Sequence, residues 1–448
     1  MAANNNRLKT LNRIPNLPTS VRISELISHE DFDEYLVICD PPIHRICPYC
    51  GADECYIKDS GYLQTLRHTP AHDRATVVTF HKRRLYCKTC QATFMENPDW
   101  IHPSLRMTLP LYYKLCESLM TTSSLRSIAA MLNVSVTVVE HVLDSISFDR
   151  PEHLPETLCI DEFKGDSGEW DDQQKCWHGN RYHCNIVNGD GDKGYVMDAL
   201  PEIKADSVKN YFRQFAPDER KHVKYFCCDM HNGFISVARE IFPQAYICID
   251  MFHIVNRLNK ALTDVRLRLQ REANACGDAE GYQLLYSSMK TLLLNETSPK
   301  NILAASNPKR KDMLTMFSHR FPELVEAYCA VQDFHILRNE PTRILKRAAL
   351  VDWINKYAVS SVPEVAKLAQ RIYRWRLEIY NTWQFKKSNS PTEGLNDSIK
   401  VLKRVAYGHQ NFKNFRKRIL LCFGPVKLVR KTISISRERA DEGYKIKL

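Results

Sequence analysis

Three hydrophobic stretches of the sequence have the composition of β-strands, and each ends on an aspartate. The aspartates are Asp161, Asp229 and Asp250, and a fourth carboxylate, Glu393, opens a helical pattern at residues 390–396. Carboxylates gathered at neighbouring strand ends repel one another and lose hydration, so a fold that gathers them usually holds cations there. Mg²⁺ suits oxygen ligands, and paired metal ions drive phosphoryl chemistry. The pattern predicts an enzyme that cuts or joins nucleic acid.

Each acid also has a structural interpretation. Asp161 can end a polar strand, and Asp229 can form an Asx turn into the Asn-Gly pair that follows. Glu393 fits a capping box with proline at the first helical position, a role that need not exclude catalysis. Asp250 competes with Asp229 as the second acid. His253, three residues later, is either a supporting catalytic group or an ordinary structural histidine.

The order of elements indicates how the acids would meet. A hairpin at residues 182–197 follows the strand of Asp161, and helices then alternate with the strands of Asp229 and Asp250. A β-meander followed by alternating helix and strand resembles the ribonuclease H-like fold, in which the first and fourth strands are neighbours. That arrangement would bring Asp161 and Asp229 together. Residues 255–381 are mostly helical, with few strand signals.

Two CxxC pairs, Cys47/Cys50 and Cys87/Cys90, flank a strand-rich span. Four thiolates complete a tetrahedral Zn²⁺ site, and a small β module without a large core needs such a cross-link. The long gap between the pairs suits a zinc ribbon with a hairpin between them. Cys55 is a possible substitute ligand, and four unrelated buried cysteines are the alternative. We expect one structural Zn²⁺.

Residues 109–146 have helical spacing, with Ser124 as a cap and a short break before a second helix. The second helix offers Ser135, Thr137, Glu140 and His141 on its polar side, which could face a DNA groove. Any compact helical hairpin gives a similar pattern. Beside a zinc ribbon and ahead of a nuclease-like core, however, it predicts a helix-turn-helix DNA-binding domain.

The positive charge is concentrated near the C-terminus. The net charge is +11, and the 14 Lys/Arg against three Asp/Glu from residue 400 onward account for that whole excess. The amphipathic helix after Glu393 carries Lys400, Lys403 and Arg404 away from its apolar side. Such a stripe would attract a polyphosphate backbone, and a solvated basic tail is the alternative. We expect these three residues to contact DNA.

Composition narrows the class of protein. The 448 residues are 44% apolar and 26% charged, which is typical of a globular protein of several domains. No run of about eighteen apolar residues occurs and the N-terminus lacks an apolar signal core, so neither a membrane span nor secretion is expected. Sixteen cysteines then indicate thiols and metal ligands rather than disulfides. The sequence contains no GxxxxGK[ST] motif, so a nucleotide-driven machine is not expected.

Together these motifs resemble the bacterial insertion-sequence DDE transposases of the ISL3 family over nearly the whole chain. The resemblance depends on the two cysteine knuckles and on short motifs, which are specific in order and spacing rather than singly. These motifs lie at residues 160–163, 228–230, 250–262 and 388–404, continuing at Gly408 and at residues 411–412. Met251 stands where family members often carry arginine, a departure that could retune DNA contacts.

The resemblance implies a ribonuclease H-like core in which Asp161, Asp229 and Glu393 bind two Mg²⁺ or Mn²⁺ ions. Asp250 and His253 are similar to an Asp-x-x-His motif found in several transposase groups. It also implies double-stranded DNA partners, namely terminal inverted repeats and target DNA, and a homodimer or larger assembly on DNA in the bacterial cytoplasm. The alternatives are a DNA-binding regulator that does not cut and a metal-dependent structure-selective nuclease.

The expected fold is therefore a multidomain α/β protein: a ribonuclease H-like core with a large all-helical insertion, preceded by a zinc ribbon and a helix-turn-helix domain. The start of the chain is expected to be partly disordered, with one strand near residues 35–39. The predicted boundaries are 1–45 for the N-terminal segment, 46–98 for the zinc ribbon, 105–150 for the helix-turn-helix, 155–256 for the first part of the core, 257–385 for the helical insertion, 386–425 for the final core helix and 426–448 for a basic tail.

Overall fold

Two five-stranded β-sheets organise the chain, and helices cover and connect them. The computed structural model describes residues 16–40, 45–165, 169–171, 173, 176–178, 182–191, 194–405, 411–429 and 432–434. Several features expected from the sequence lie outside the described residues. They are the first 15 residues, Gly408 and most of the basic tail from residue 435 onward.

The first sheet has the strand order β1-β2-β4-β3, with β5 paired to β4. Its strands are β1 Val21–Ser28, β2 Phe32–Cys39, β3 Cys55–Ala71, β4 Arg74–Cys87 and β5 Thr93–Met95. The expectation of one strand before residue 45 was incomplete, because β1 and β2 form an antiparallel pair there. Only Val21 of β1 is fully buried, and the alternation of apolar and polar residues breaks where the register shifts between Ile23 and Glu25, so the strand signal in the sequence is short.

Three helices follow the first sheet and share one hydrophobic core. They are α1 Leu109–Leu119, α2 Leu125–Met131 and α3 Val136–Ser145. The Ser124 hydroxyl accepts a hydrogen bond from the Ser127 N–H and so caps α2 as expected. Asn133, with φ of 48°, makes the left-handed turn between α2 and α3.

Among the described residues, no single helix has the length and apolar composition needed to cross a membrane. The pair α2 and α3 reaches that length and composition only when taken together, and the two helices are bent by 112° relative to each other.

The second sheet has the order β10-β9-β6-β11-β12. Its strands are β6 Thr157–Lys164, β9 Tyr182–Asn188, β10 Tyr195–Leu200, β11 Tyr225–Cys228 and β12 Tyr246–Ile249, with a short pair β7 Glu169–Asp171 and β8 Cys176–His178 off the sheet. The strands β6, β9 and β10 form an antiparallel meander, whereas β11 is parallel to both β6 and β12. The strand β6 contains Asp161 and the strand β11 directly precedes Asp229, so the two acids belong to neighbouring strands. The sequence pattern ended the first strand at Asp161, but β6 continues to Lys164.

Helices cover both faces of this sheet. On one face, α4 Ala205–Arg213 and α6 Asn232–Ile241 pack through Phe212 and Phe234, with α5 Pro217–His222 between them in the chain. On the other face lie α16 Ser390–Val405 and α17 Phe412–Phe423, which come from the far end of the chain. The result is a three-layer α/β arrangement in which the last helices complete the core of the first strands.

The segment between these two halves is helical throughout its described secondary structure. Its helices are α7 Met251–Ala275, α8 Ala279–Ser287, α9 Met289–Leu292, α10 Ile302–Ala305, α11 Pro308–Arg320, α12 Pro322–Arg338, α13 Arg343–Ala358, α14 Pro363–Arg374 and α15 Arg376–Phe385, with a 3₁₀ turn at Pro299–Asn301. They enclose a large hydrophobic core of their own. The helix α7 begins at the sheet edge and runs unbroken into this region, so the boundary expected near residue 256 falls inside a helix.

Part of the basic C-terminal stripe lies inside the protein. Arg416 on α17 donates from Nε and Nη2 to the two carboxylate oxygens of Asp198, at 2.5 and 2.9 Å. The buried Lys417 donates to two main-chain carbonyls at the end of α3, and the buried Arg418 donates to carbonyls in and after the last turn of α1. These three charges fix α17 between the sheet and the three-helix module, so they are not available to a phosphate backbone as the sequence suggested.

Candidate functional site

The three aspartates lie side by side at one edge of the second sheet. The register aligns one cysteine from each of β6, β11 and β12, and each aspartate comes two residues after its cysteine. They are Asp161 within β6, Asp229 directly after β11 and Asp250 between β12 and α7. Because β11 and β12 run parallel to β6, strand pairing alone brings these carboxylates to the same edge.

Glu393 reaches this edge from the first turn of α16. Its Oε1 lies 3.9 Å from Nε2 of His253, and its side chain is also adjacent to Asp250. These contacts join α16 to the first turn of α7 across a gap of about 140 residues in the sequence. The capping alternative would direct the side chain of Glu393 to its own helix. In the structure this side chain points to the acids of the sheet edge.

Turn hydrogen bonds hold two of the aspartates. An oxygen of Asp229 accepts from the His231 N–H at 3.0 Å, which is the Asx turn anticipated from the sequence. Asp250 caps α7 by accepting from the Phe252 N–H at 2.7 Å. These bonds orient the carboxylates but leave some of their oxygens available as acceptors. Oδ2 of Asp250 is buried and has no hydrogen-bond partner among the described residues.

Burial and mutual repulsion disfavour the charged forms of the acids. Burial is the main cause that raises the pKa of Asp161 to about 7, and the negative charges of Asp229, Glu162 and Glu393 contribute. Burial likewise raises the pKa of Asp229 and Glu162. Burial and then the charge of Asp250 raise the pKa of Glu393. The site thus gathers more negative charge than the nearby His253 can balance, and a divalent cation would supply the missing positive charge.

The donor set fits hard cations. Asp161, Asp229 and Glu393 offer carboxylate oxygens, the ligands that Mg²⁺ and Mn²⁺ prefer, and Asp250 leaves an orphaned oxygen beside them. Among the described residues, the only group of possible ligands whose atoms all lie within 4.8 Å of one another is a set of cysteines. The acids are therefore spaced more widely than the ligands of one closed metal cage.

A buried pair of asparagines holds Asp161, and the sequence did not single out either residue for this role. Nδ2 of Asn396 donates to Oδ2 of Asp161 at 2.9 Å, and Nδ2 of Asn185 donates to Oδ1 of Asn396 at 2.9 Å. Both asparagines are almost completely buried. Asn185 lies opposite Asp161 in the β6–β9 register, and Asn396 lies one helical turn after Glu393. That three-residue spacing on α16 was the available signal.

Replacement of Asn396 by alanine is expected to lower the free energy of unfolding by about 1–3 kcal/mol, because a buried donor and a buried acceptor each lose their partner. Equilibrium urea denaturation measures this change. Ser398→Ala on the same helix is the matched control, since that hydroxyl bonds only to a carbonyl of its own helix. Equal stability of the two variants would contradict the assigned role of Asn396.

The four cysteines of the CxxC pairs converge at the far end of the first sheet. Sγ of Cys47 lies 3.6 Å from Sγ of Cys90, and Sγ of Cys50 lies 3.6 Å from Sγ of Cys87. The main-chain N–H of Cys90 is the main cause that lowers the pKa of Cys87 to about 6, favouring a thiolate. Cys55, considered as a substitute ligand, is not part of the group. The arrangement suits one tetrahedral zinc ion.

The residues predicted to contact DNA from the three-helix module lie on its surface. Ser135 precedes α3, Thr137 lies in its first turn and His141 lies one turn later, and all three are exposed. The opposite side of α3 packs into the core through Val139 and Val142. The polar side of α3 is thus exposed, as the predicted role requires.

The three basic residues predicted on α16 differ in their surroundings. Lys400 forms an exposed ion pair with Asp397 at 2.9 Å, worth little in stability. Lys403 donates to the carbonyl of Lys164 in β6, at 3.4 Å, and Arg404 is exposed. All three side chains follow Glu393 along the same helix.

Comparison with known protein families identifies two regions, one with the acids of the sheet edge and one with the four cysteines. Residues 158–419 match the ISL3 transposase family model, described as a transposase. Residues 44–90, which include all four cysteines, match a model described as the zinc-finger of transposase IS204/IS1001/IS1096/IS1165. The first match covers the acids of the sheet edge, the helical segment and Glu393.

Curated relatives agree with these models. The chain is 24% identical over 390 residues to a transposase for insertion sequence element IS1001 from Bordetella parapertussis, covering 84% of this chain and 88% of that one. It is 22% identical over 252 residues to a transposase for insertion sequence element IS1557 from Mycobacterium tuberculosis, covering 52% of this chain and 54% of that one. A stretch of 47 residues is 51% identical to a Lactococcus lactis protein named ATP-dependent protease, but it spans only 10% of this chain and 15% of the relative.

Proposed function

The chain belongs to the ISL3 family of insertion-sequence transposases, and from this premise we propose that it binds the terminal inverted repeats of its element and catalyses metal-dependent DNA strand cleavage and strand transfer. The observation that carries the proposal is the meeting of Asp161, Asp229 and Glu393 at one sheet edge. Glu393 is more than 160 residues from Asp229 in the chain, yet its charge and that of Asp229 both act on Asp161.

The catalytic part is proposed to be a ribonuclease H-like core with a helical insertion. Support comes from the sheet order, in which an antiparallel meander is followed by the parallel strand β11 beside β6. The helical segment α7–α15 leaves this sheet after β12 and returns at α16, so it is an insertion between the second and third acids. Such an insertion lies directly beside the acids and can contribute to DNA binding.

The side chains of the site have distinct proposed roles. Asp161, Asp229 and Glu393 would hold two Mg²⁺ or Mn²⁺ ions, which when bound activate an attacking water or DNA 3′-hydroxyl and stabilise the leaving oxygen of an in-line displacement. Asn396 fixes the rotamer of Asp161 by its hydrogen bond. His253 lies beside Glu393 and close to Asp229, where it can donate to a carboxylate or to a DNA phosphate.

DNA recognition is proposed for the N-terminal half. The zinc ribbon and the helix-turn-helix would combine phosphate contacts with base-edge contacts, and α3 offers Ser135, Thr137 and His141 for the groove. Two transposon ends must be processed together, so a dimer or larger assembly on DNA is expected. Lys417 and Arg418 of α17 donate to main-chain carbonyls of the three-helix module, so the proposed recognition and catalytic parts would form one connected unit.

Incubation with DNA that carries the element's terminal repeats tests the function. With Mn²⁺ or Mg²⁺ we expect cleavage at the repeat ends and, with a target plasmid, covalently joined products; EDTA should abolish both. Cleavage without joined products would favour a structure-selective nuclease. Specific binding without any cleavage would favour a regulator that does not cut.

A further inference from the structure

A cavity of about 360 Å³ opens next to the acids, on the side of the helical insertion. Its walls come from α6, α7 and the C-terminal end of α14, and Met230 at its edge directly follows Asp229. Four arginines and one tryptophan line it. They are Arg239, Arg257, Arg371, Arg374 and Trp375, and we call this set the arginine pocket.

The arginine pocket continues a line of side chains that begins at the acids. His253 and Arg257 are four residues apart on α7 and therefore share a face, about 6 Å apart along the axis. His253 lies at Glu393, and Arg257 lines the cavity. The charge of Arg257 also acts on Asp229, where it opposes the rise in pKa that burial causes. One face of α7 thus leads from the acids into the pocket.

The positive charge of the pocket is largely unbalanced. Arg239 pairs with the buried Glu378 at 3.1 Å. Within the described part of the chain, Arg257, Arg371 and Arg374 have no acidic partner within 4 Å, and the latter two are exposed. Three guanidinium groups that converge on a cavity without acidic partners repel one another, so an anion stabilises them. Trp375 packs against the cores of both the helical insertion and the sheet, which fixes the end of α14 relative to α6.

We propose that the arginine pocket binds backbone phosphates of the DNA strand that is cut, at positions next to the phosphate that is cleaved. This rests on the proposed function, since it takes the acids as the place of cleavage. Guanidinium groups bind phosphate oxygens in pairs with fixed geometry, and a pocket that is already assembled loses little conformational entropy on binding. The helical insertion then has a defined role, because α14 and α7 hold the strand in register so that one phosphodiester lies on the acids.

The first test measures binding, without cleavage. The double variant Arg371→Ala, Arg374→Ala is compared with Lys309→Ala, Lys311→Ala, which removes the same charge from exposed positions on α11 of the same helical region. Affinity for a generic DNA duplex and for a duplex with the terminal repeat is measured over a range of NaCl concentrations in EDTA. Each lost phosphate contact should reduce the slope of log affinity against log salt by about 1.

We expect the arginine variant to lose about 2 from this slope and at least about tenfold in affinity at 0.1 M NaCl, with the lysine control unchanged. Equal slopes for the two variants would overturn the proposal. The conservative variant Arg371→Lys, Arg374→Lys should keep most of the slope. If it loses the slope as fully as the alanine variant, a folding defect explains the data and the proposal fails.

The second test locates the contact. Neutral methylphosphonates replace single phosphates on either side of the cut site, and cleavage is measured with Mn²⁺. A methylphosphonate at one or two positions on one side of the cut should lower the cleavage rate of the wild-type protein at least about tenfold. The arginine variant should cleave those substrates at the same rate as unmodified DNA. The same position dependence in both proteins would overturn the proposal. A wild-type protein that cuts no repeat DNA would refute the proposed function, while the salt slopes would still decide whether the pocket binds phosphate.

Discussion

Replacement of Asp161 by asparagine is expected to abolish DNA strand cleavage while leaving repeat binding within about twofold of wild type. Asparagine keeps the shape of the side chain and removes the charge that the acids would offer to divalent cations. We expect the cleavage rate to fall by about a thousandfold or more, equivalent to about 4 kcal/mol of activation free energy. The same result is expected for Asp229→Asn and for Glu393→Gln.

Single-turnover cleavage of labelled repeat DNA, together with a binding assay in EDTA, measures both quantities. Asp397→Asn is the matched control for removal of a negative charge, because Asp397 is an exposed acid one turn after Glu393 and forms an ion pair with Lys400 on the surface. A thermal-shift measurement adds a readout independent of DNA: Mn²⁺ should raise the Tm of the wild-type protein and of Asp397→Asn, and not that of Asp161→Asn. Undiminished cleavage by Asp161→Asn would remove this residue from the catalytic set.

Substitution of Cys87 by serine is expected to reduce the zinc content from about one ion per chain to none and to weaken repeat binding at least about tenfold. The buried core of the first sheet lies around Val78, Phe80 and Trp100, away from the cysteine knuckles. The knuckle end has no comparable apolar cluster among the described residues, so a zinc ion bound by the four cysteines would be what holds it together. Loss of the ion should therefore unfold the knuckles and the adjoining ends of β3 and β4, and spare the sheet centre.

Elemental analysis, hydrogen exchange of residues 47–57 and 85–95, and repeat binding together measure this effect. Cys276→Ser is the matched control, since Cys276 is an exposed thiol at the end of α7, far from the knuckles in the fold. That variant should keep its zinc and its affinity. A wild-type protein without zinc, or a Cys87→Ser variant that retains it, would contradict the ribbon assignment.

The sequence located Asp229 and Asp250 at the ends of strands because strand ends and helix starts are local patterns, whereas β6 continues beyond Asp161 to Lys164. Asp161, Asp229 and Asp250 each follow a short apolar run, and parallel pairing then aligns them without further information. Glu393 was harder, because nothing local distinguishes a capping glutamate from one that reaches across to His253. The family resemblance, rather than periodicity, supported that assignment, and the fold brings the two side chains together.

The sequence was less informative about contacts between distant segments. Asn185 and Asn396 are 211 residues apart, and only the fold brings their amides together beneath Asp161. The arginine pocket has the same origin, since α6, α7 and α14 contribute to it from separate parts of the chain. The basic excess from residue 400 onward was expected to attract a phosphate backbone. Within it, however, Arg416, Lys417 and Arg418 bond to a buried carboxylate and to main-chain carbonyls.

The position of α17 has a consequence for the order in which the molecule assembles. Arg418 and Leu421 complete the three-helix module, although the ribosome adds them more than 270 residues after its last helix. A nascent chain that terminates before residue 412 leaves those helices with an open core and the sheet with one bare face. Truncated copies of the gene are therefore expected to yield products that fold poorly, and not stable fragments that compete with the full-length protein for the ends of the element.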